Sequence, residues 1–344
     1  MIAELPLSRE VRLAKRPVGL PSADHFSIVE TPVRQPTDGD VLVRNRWFRV
    51  SISTRTMISE GAQNIKGIPF PPVALGDCLA DAAIGEVIWA PPASGVKPGD
   101  RVSHPFGWRE YATVPVRACV PLPAGPIDPV VYLGHGWTAY AALTRGVTLR
   151  HGETVFISSG AGAIGSMAGQ IAVKLGASRV IGSTGSSEKA TWMKNELGYD
   201  AVLVRGDVPF ATQLAEAAPD GIDVYVDIVG GEQLRAAAAN ARHGARFVLL
   251  GALTAELAEQ GTRRVAPVLL DSLQLIMQGV TMRGYSADDD SDAFGEWLQC
   301  LAIWQREGGM QLPRSTFSGI ENAPKALHDA CAGTLKGLVI VELE

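Results

Sequence analysis

Three glycines, Gly160, Gly162 and Gly165, follow the apolar run Thr154-Val155-Phe156-Ile157 with the spacing G-x-G-x-x-G. That pattern suits a pyrophosphate. One glycine makes a tight turn, the next lets backbone approach the phosphates, and the third lets a helix pack on the strand. The helix start offers unpaired N–H groups and the positive end of its dipole. Alone the spacing is weak, but here it lies between a strand and a helix, Ala163–Leu175, that leads to a second strand, Arg179–Ser183. That context points to a dinucleotide site.

In an NAD site a carboxylate about 20 residues past the first glycines grips the ribose 2′-hydroxyl. The corresponding stretch, Ile181-Gly182-Ser183-Thr184-Gly185, contains no acid. Lys189, at the start of the next helix, and Arg205, after the third strand, can bring positive charge to the same end of the sheet. The missing acid and the two cations favour NADP(H).

Metal chemistry finds no support. The segment Pro71-Pro72-Val73-Ala74-Leu75-Gly76-Asp77-Cys78 lacks the histidine and glutamate of a Gly-His-Glu zinc motif. Cys78, Cys119, Cys300 and Cys331 are too scattered for a structural zinc or a disulfide framework, which fits a reducing cytoplasm. Without a Lewis acid, carbonyl reduction loses its usual electrophile. Hydride delivery to the β-carbon of an enone or enal needs only hydrogen-bond donors to steady the enolate charge.

The elements that must hold these residues follow from pattern. Residues 1–125 carry short strand-like runs such as Asp40–Asn45 and Ile84–Trp89, bounded by turn formers, and read as a mostly β domain. Residues 126–310 alternate strands and helices, with strands at Thr154–Ser158, Arg179–Ser183, Ala201–Val204, Asp223–Ile228, Arg246–Leu250 and Val280–Tyr285. The rhythm predicts an α/β domain with a doubly wound parallel sheet, its last crossover helix spanning Val265–Met277. Residues 311–344 end in a strand, Leu338–Val341, that can return to the first domain. A net charge of −5 and the lack of a long apolar run argue against nucleic-acid or membrane partners.

These segments together resemble the zinc-independent medium-chain dehydrogenase/reductases, in the prostaglandin reductase (leukotriene dehydrogenase) and double-bond reductase branch. The resemblance runs through Arg16-Pro17-Val18-Gly19, Asp40–Asn45, Lys97-Pro98-Gly99-Asp100, Phe106–Tyr111 and Gly136-Trp137-Thr138-Ala139-Tyr140. It continues through the glycine turn, Ser186–Lys189, Asp220–Asp227 with Gly230-Gly231, and Glu321–Pro324. It implies a GroES-like catalytic domain, a Rossmann domain, NADPH, a small-molecule substrate and a homodimer. The expected cofactor-binding residues are Thr138, Gly160, Gly162, Ala163, Ile164, Gly165, Ser183, Lys189, Arg205 and Gly251. Arg205 stands where the family commonly has a tyrosine near the 2′-phosphate.

The substrate side departs from the family. Its Asp-Pro-Tyr-Met-Arg segment is Ser51-Ile52-Ser53-Thr54-Arg55 here, its pocket tyrosine falls at Glu256, and two asparagines fall at Ile228 and Leu335. His135, flanked by glycines, and Tyr285 are the expected catalytic residues; Arg55 and Glu256 are the expected substrate contacts. His135 titrates near neutrality and is expected to matter more to turnover than Glu256, whose carboxyl is ionised unless desolvated. The leading expectation is NADPH-dependent reduction of an activated carbon–carbon double bond. A quinone reductase, a metal-free carbonyl reductase or alcohol dehydrogenase, and a non-catalytic NADPH-binding sensor or scaffold are the alternatives.

Overall fold

A computed structural model describes residues 5–62, 71–125, 127–259 and 265–344. The chain opens with the antiparallel pair β1 (Leu7–Leu13) and β2 (Phe26–Pro32). Next come β3 (Asp40–Arg49), the short helix α1 (Ser53–Ile58), β4 (Ala83–Trp89), β5 (Arg101–His104), β6 (Tyr111–Pro115) and β7 (Val120–Pro121).

Helix α2 (Gly136–Ala141) leads into the α/β part. There β8 (Thr154–Ile157), α3 (Gly165–Lys174), β9 (Arg179–Thr184), α4 (Ser187–Glu196), β10 (Ala201–Val204), α5 (Phe210–Ala217) and β11 (Ile222–Asp227) alternate. The series continues with α6 (Gly231–Ala239), β12 (Ala241–Leu249), α7 (Leu253–Glu256), α8 (Ser272–Gln278), β13 (Thr281–Gly284) and α9 (Asp292–Arg306). The parallel sheet has the order β10-β9-β8-β11-β12-β13. The order reverses between β8 and β11, and ligands of such sheets bind at that switch point, beyond the strands' carboxyl ends. All four residues of β8 are buried, as expected of a central parallel strand covered on both faces. Phe156 on β8 stacks on Tyr225 of β11 with ring centres 5.0 Å apart.

Strand β14 (Arg314–Ser318), helix α10 (Ala323–Cys331) and β15 (Leu338–Glu342) return to the first domain. Its sheet runs β14-β15-β3-β4-β5-β7, with β6 also paired to β3. Three sequence expectations change. The helix expected over Val265–Met277 begins only at Ser272, where Asp271 caps it by accepting from the N–H groups of Leu273 and Gln274. Pro267 disfavours helical backbone at the preceding residue, and no helix forms over residues 265–270. Strand β14 and helix α10 were not expected.

Candidate active site

The glycine turn is built by close packing. Gly160 N donates to Ser183 O (2.8 Å), and Ser159 N donates to Ser183 Oγ (3.1 Å). The Ser183 hydroxyl donates in turn to Gln233 Oε1 at 2.6 Å. Ser183, expected to touch cofactor, is therefore a buried brace of the turn, with its hydroxyl engaged on both sides within the protein. A Cβ on Gly165 would sit 2.2 Å from Ser159 O, and one on Gly160 2.4 Å from Met193 Cε. The first collision is with backbone that cannot yield, so the third glycine is required for α3 to approach the turn. Among the described residues, the N–H of Ile164 donates to no protein acceptor, and that of Ala163 is met only by the isolated bridge between Gly162 and Gly337. Both lie at the N-terminus of α3, where the Ile164 N–H is ready for an anion.

The far end of the site is strongly cationic. Lys189 sits in the first turn of α4, whose cap Ser186 accepts from Lys189 N at 3.3 Å. Its Nζ donates to Gly333 O. Burial lowers its pKa, and the charges of Lys336 and Arg205 lower it further. Arg205 is exposed, with Nη2 3.8 Å from where a Cβ on Gly185 would lie. Lys336, which the sequence reading did not single out, arrives from the bend just before β15. Its neighbour Gly337 donates N–H to Ala161 O at 2.9 Å. The signal was present in the Lys336-Gly337 pair, but only the fold brings residue 336 to residue 189.

Beneath the switch point lies the buried carboxylate of Asp227. It accepts from Tyr225 Oη (2.8 Å), Gly230 N (2.8 Å), Val229 N (3.0 Å) and Ser158 Oγ (3.2 Å). Ser158 Oγ accepts from Ile228 N at 2.7 Å. This network fixes the bend Ile228–Gly230, and Gly251 packs on it: a Cβ there would lie 3.0 Å from Ile228 O.

His135 stands at the N-terminus of α2, with no side-chain cap bond, and lines a small cleft with Val131, Ala163, Met167, Trp297 and Leu338. The structure thus brings it to the glycine turn, but burial, with help from Arg49, lowers its pKa to about 3. The expectation that it titrates near neutrality is corrected: its imidazole is neutral throughout the ordinary working range. Thr138, on α2, is half-buried, and among the described residues its hydroxyl makes no hydrogen bond.

Tyr285 is not free to act. Its hydroxyl donates to Asp290 Oδ2 at 2.6 Å, and its ring packs among the apolar side chains under α2 and α9. Burial and that carboxylate both push its pKa up. Arg55 is 1% exposed, and its guanidinium donates to Glu256 O (2.7 Å), Ala258 O (2.6 Å) and Gly19 O (3.2 Å). The expected substrate contact is instead a tie between α1 and the segment carrying α7. Glu256 faces the same seam, accepting from Ser53 Oγ at 3.4 Å. Burial raises its pKa, against the lowering effect of the Ala252 N–H and Ser53.

The donor set fits NADP(H): the N-terminus of α3 suits a pyrophosphate at one end, and the cations Lys189 and Arg205 suit a 2′-phosphate at the other. Two sequence-family profiles match the chain, one described as the N-terminal domain of oxidoreductase over residues 9–122, the other as a zinc-binding dehydrogenase over residues 163–302. Among the described residues, no group of three or more His, Cys, Asp or Glu side chains is placed to hold a metal. YfmJ of Bacillus subtilis (strain 168), which carries an NADP-dependent oxidoreductase name, is 32% identical over 342 residues, 97% of each chain. The NADP(+)-dependent 2-alkenal reductase of Nicotiana tabacum is 27% identical over 349 residues, 99% of this chain and 98% of that one. The solved structure of CurA from Vibrio vulnificus in complex with NADPH has a TM-score of 0.86 at 28% identity, over 98% of this chain and 99% of that one. The chain therefore belongs to the zinc-independent medium-chain dehydrogenase/reductases, as an NADP(H)-dependent oxidoreductase of their double-bond reductase branch.

Proposed function

We propose that this protein reduces the activated carbon–carbon double bond of an enone or enal with NADPH. The observation that carries the reading is the cluster of Lys189, Arg205 and Lys336 at one end of the glycine turn. Its likeness over nearly the whole chain to a 2-alkenal reductase supplies the substrate class. When bound, NADPH supplies the hydride that goes to the β-carbon.

The chain's own residues divide the remaining work. Ile164 N–H, with Gly160, Gly162 and Gly165 shaping the turn, receives the pyrophosphate. Lys189 and Arg205 hold the 2′-phosphate. The Asp227–Ser158 network keeps the bend Ile228–Gly230 in place, with Gly251 packed against it. Thr138 offers a hydroxyl to the polar part of the nicotinamide side, and neutral His135 serves as wall and donor rather than as an acid. Glu256, whose pKa burial raises, is the group assigned to hold the proton that the α-carbon gains.

Residues 1–125 and 311–344 form the catalytic part in this reading, and residues 126–310 hold the cofactor. A reducing compartment, the cytoplasm, suits free thiols such as Cys78 and Cys119, both pushed up to about 11 by burial. No helix among the described residues is long and apolar enough to cross a membrane. The protein pairs as a homodimer through the free edge of β13 and the apolar face of α8.

NADPH oxidation followed with a panel of enals and enones, a quinone and a simple ketone tests the activity. The enal or enone should turn over at least about tenfold faster than the others. A faster quinone or ketone, or no oxidation of NADPH by any of them, would refute the reading.

A further inference from the structure

Lys336 lies on the bend between α10 and β15, in the catalytic part of the chain, yet its ammonium is engaged on the other domain. Nζ is 2.7 Å from Glu188 Oε1 and 5.5 Å from the centre of the Trp192 ring, both residues belonging to α4. Its charge depresses the pKa of Lys189, so the two ammonium groups share one field. The backbone on either side is fastened to the same domain, because Lys189 Nζ donates to Gly333 O and Gly337 N donates to Ala161 O. A single bend of the catalytic domain thus touches both the glycine turn and the cation cluster.

We propose that Lys336 is a third cation of the 2′-phosphate subsite, delivered across the domain boundary, and that the Glu188 carboxylate holds its place until the phosphate arrives. This inference rests on the NADP(H) reading above and assigns a residue to its phosphate end. A phosphate monoester carries about −1.5 to −2 charge against the −1 of a carboxylate, and offers more acceptor oxygens. It therefore outcompetes Glu188, whose side chain is 81% exposed and swings into water without cost to the core. Binding of the 2′-phosphate then fastens residues 333–337, and the end of the catalytic sheet they lead into, to the cofactor domain. A dinucleotide without that phosphate leaves Lys336 on Glu188.

The test is titration of the full chain with 2′,5′-ADP and with 5′-AMP, two probes that carry no nicotinamide. Lys336→Met should weaken 2′,5′-ADP about tenfold, as for loss of one charge-assisted contact, and leave 5′-AMP unchanged. Lys336→Arg should restore most of the loss. Glu188→Gln should tighten 2′,5′-ADP. If the unaltered protein prefers 2′,5′-ADP but Lys336→Met binds it equally well, the assignment of Lys336 is overturned and the NADP(H) reading stands. Equal losses for both probes would mark Lys336 as merely structural and also overturn it. An unaltered protein with no preference between the probes would overturn both readings.

Discussion

A carboxylic acid donates only while it keeps its proton, and burial lets Glu256 keep its own to higher pH than an exposed glutamate does. Turnover that depends on this proton is highest below the raised pKa and falls as pH increases through it. Glu256→Gln should remove that dependence and lower kcat by about 10²–10⁴, the usual range for a positioned acid. His135→Gln should leave the shape of the profile unchanged, because an imidazole with a pKa of about 3 does not titrate between neutral and mildly acid pH. A profile flattened by His135→Gln and untouched by Glu256→Gln would reverse these roles. The sequence points the other way, because unperturbed values make histidine the better acid near neutrality. The environment that inverts them is burial beneath segments far apart in the chain, with Arg49 adding to its effect at His135. Arg55 was misread for the same reason: a lone arginine in a sequence does not disclose three carbonyl acceptors supplied by distant loops.

Among the elements, α8 and β13 leave the most unfinished surface. Leu269, Leu273, Ile276 and Met277 are each at least two-thirds exposed, with Leu269 at 83%. They lie beside a strand at the edge of the parallel sheet, a place where unpaired backbone groups invite another strand. The proposed dimer covers both. Sedimentation at micromolar concentration should give a dimer for the unaltered protein and a monomer for Leu273→Glu combined with Ile276→Glu, with circular dichroism unchanged. A monomeric unaltered protein would remove the proposal. The parallel strands were readable because β8 is a short, mostly apolar run and β11 centres on Val224-Tyr225-Val226, each followed by turn residues, a pattern that suits a covered strand. Strand β14 alternates exposed and half-buried positions and offered no such contrast. Helix α10 carried a usable cue in Pro324 at its start, with Ala323, Leu327 and Ala330 buried along one face.

At the scale of the whole molecule, two histidines, His104 buried and His135 half-buried, tie stability to pH. His104 on β5 is 4% exposed, and burial, then Arg109, lowers its pKa to about 3; His135 at the domain seam is lowered to the same value. In the unfolded chain both would titrate near the ordinary 6.5. Between those values the unfolded state binds more protons than the folded one, so stability rises with pH there and is lost as pH falls from about 6.5 towards 3. Each histidine steepens that loss by up to about 1.4 kcal/mol per pH unit. His104→Asn should flatten the acid limb of the melting temperature between pH 6 and 4; Asn can replace Nδ1 as the acceptor of the Phe106 N–H. An acid limb as steep as that of the unaltered protein would show that His104 is not a source of it.

Strand β15 lies between β14 and β3, so the sheet of the first domain is completed by residues that follow the whole parallel-sheet region in the chain. On a ribosome adding about 5–20 residues per second, β3 leaves the tunnel on the order of ten seconds or more before its neighbour exists. Throughout that interval the end of β3 presents an unpaired edge bearing Phe48, with Val50 just beyond it, both of which the finished fold buries. The parallel-sheet domain, whose strands come from one unbroken stretch of chain, can fold first and then serve as the platform on which the first sheet is closed. Biosynthesis of this protein thus has a fixed order, and its vulnerable period is the wait of the first domain for its last strands.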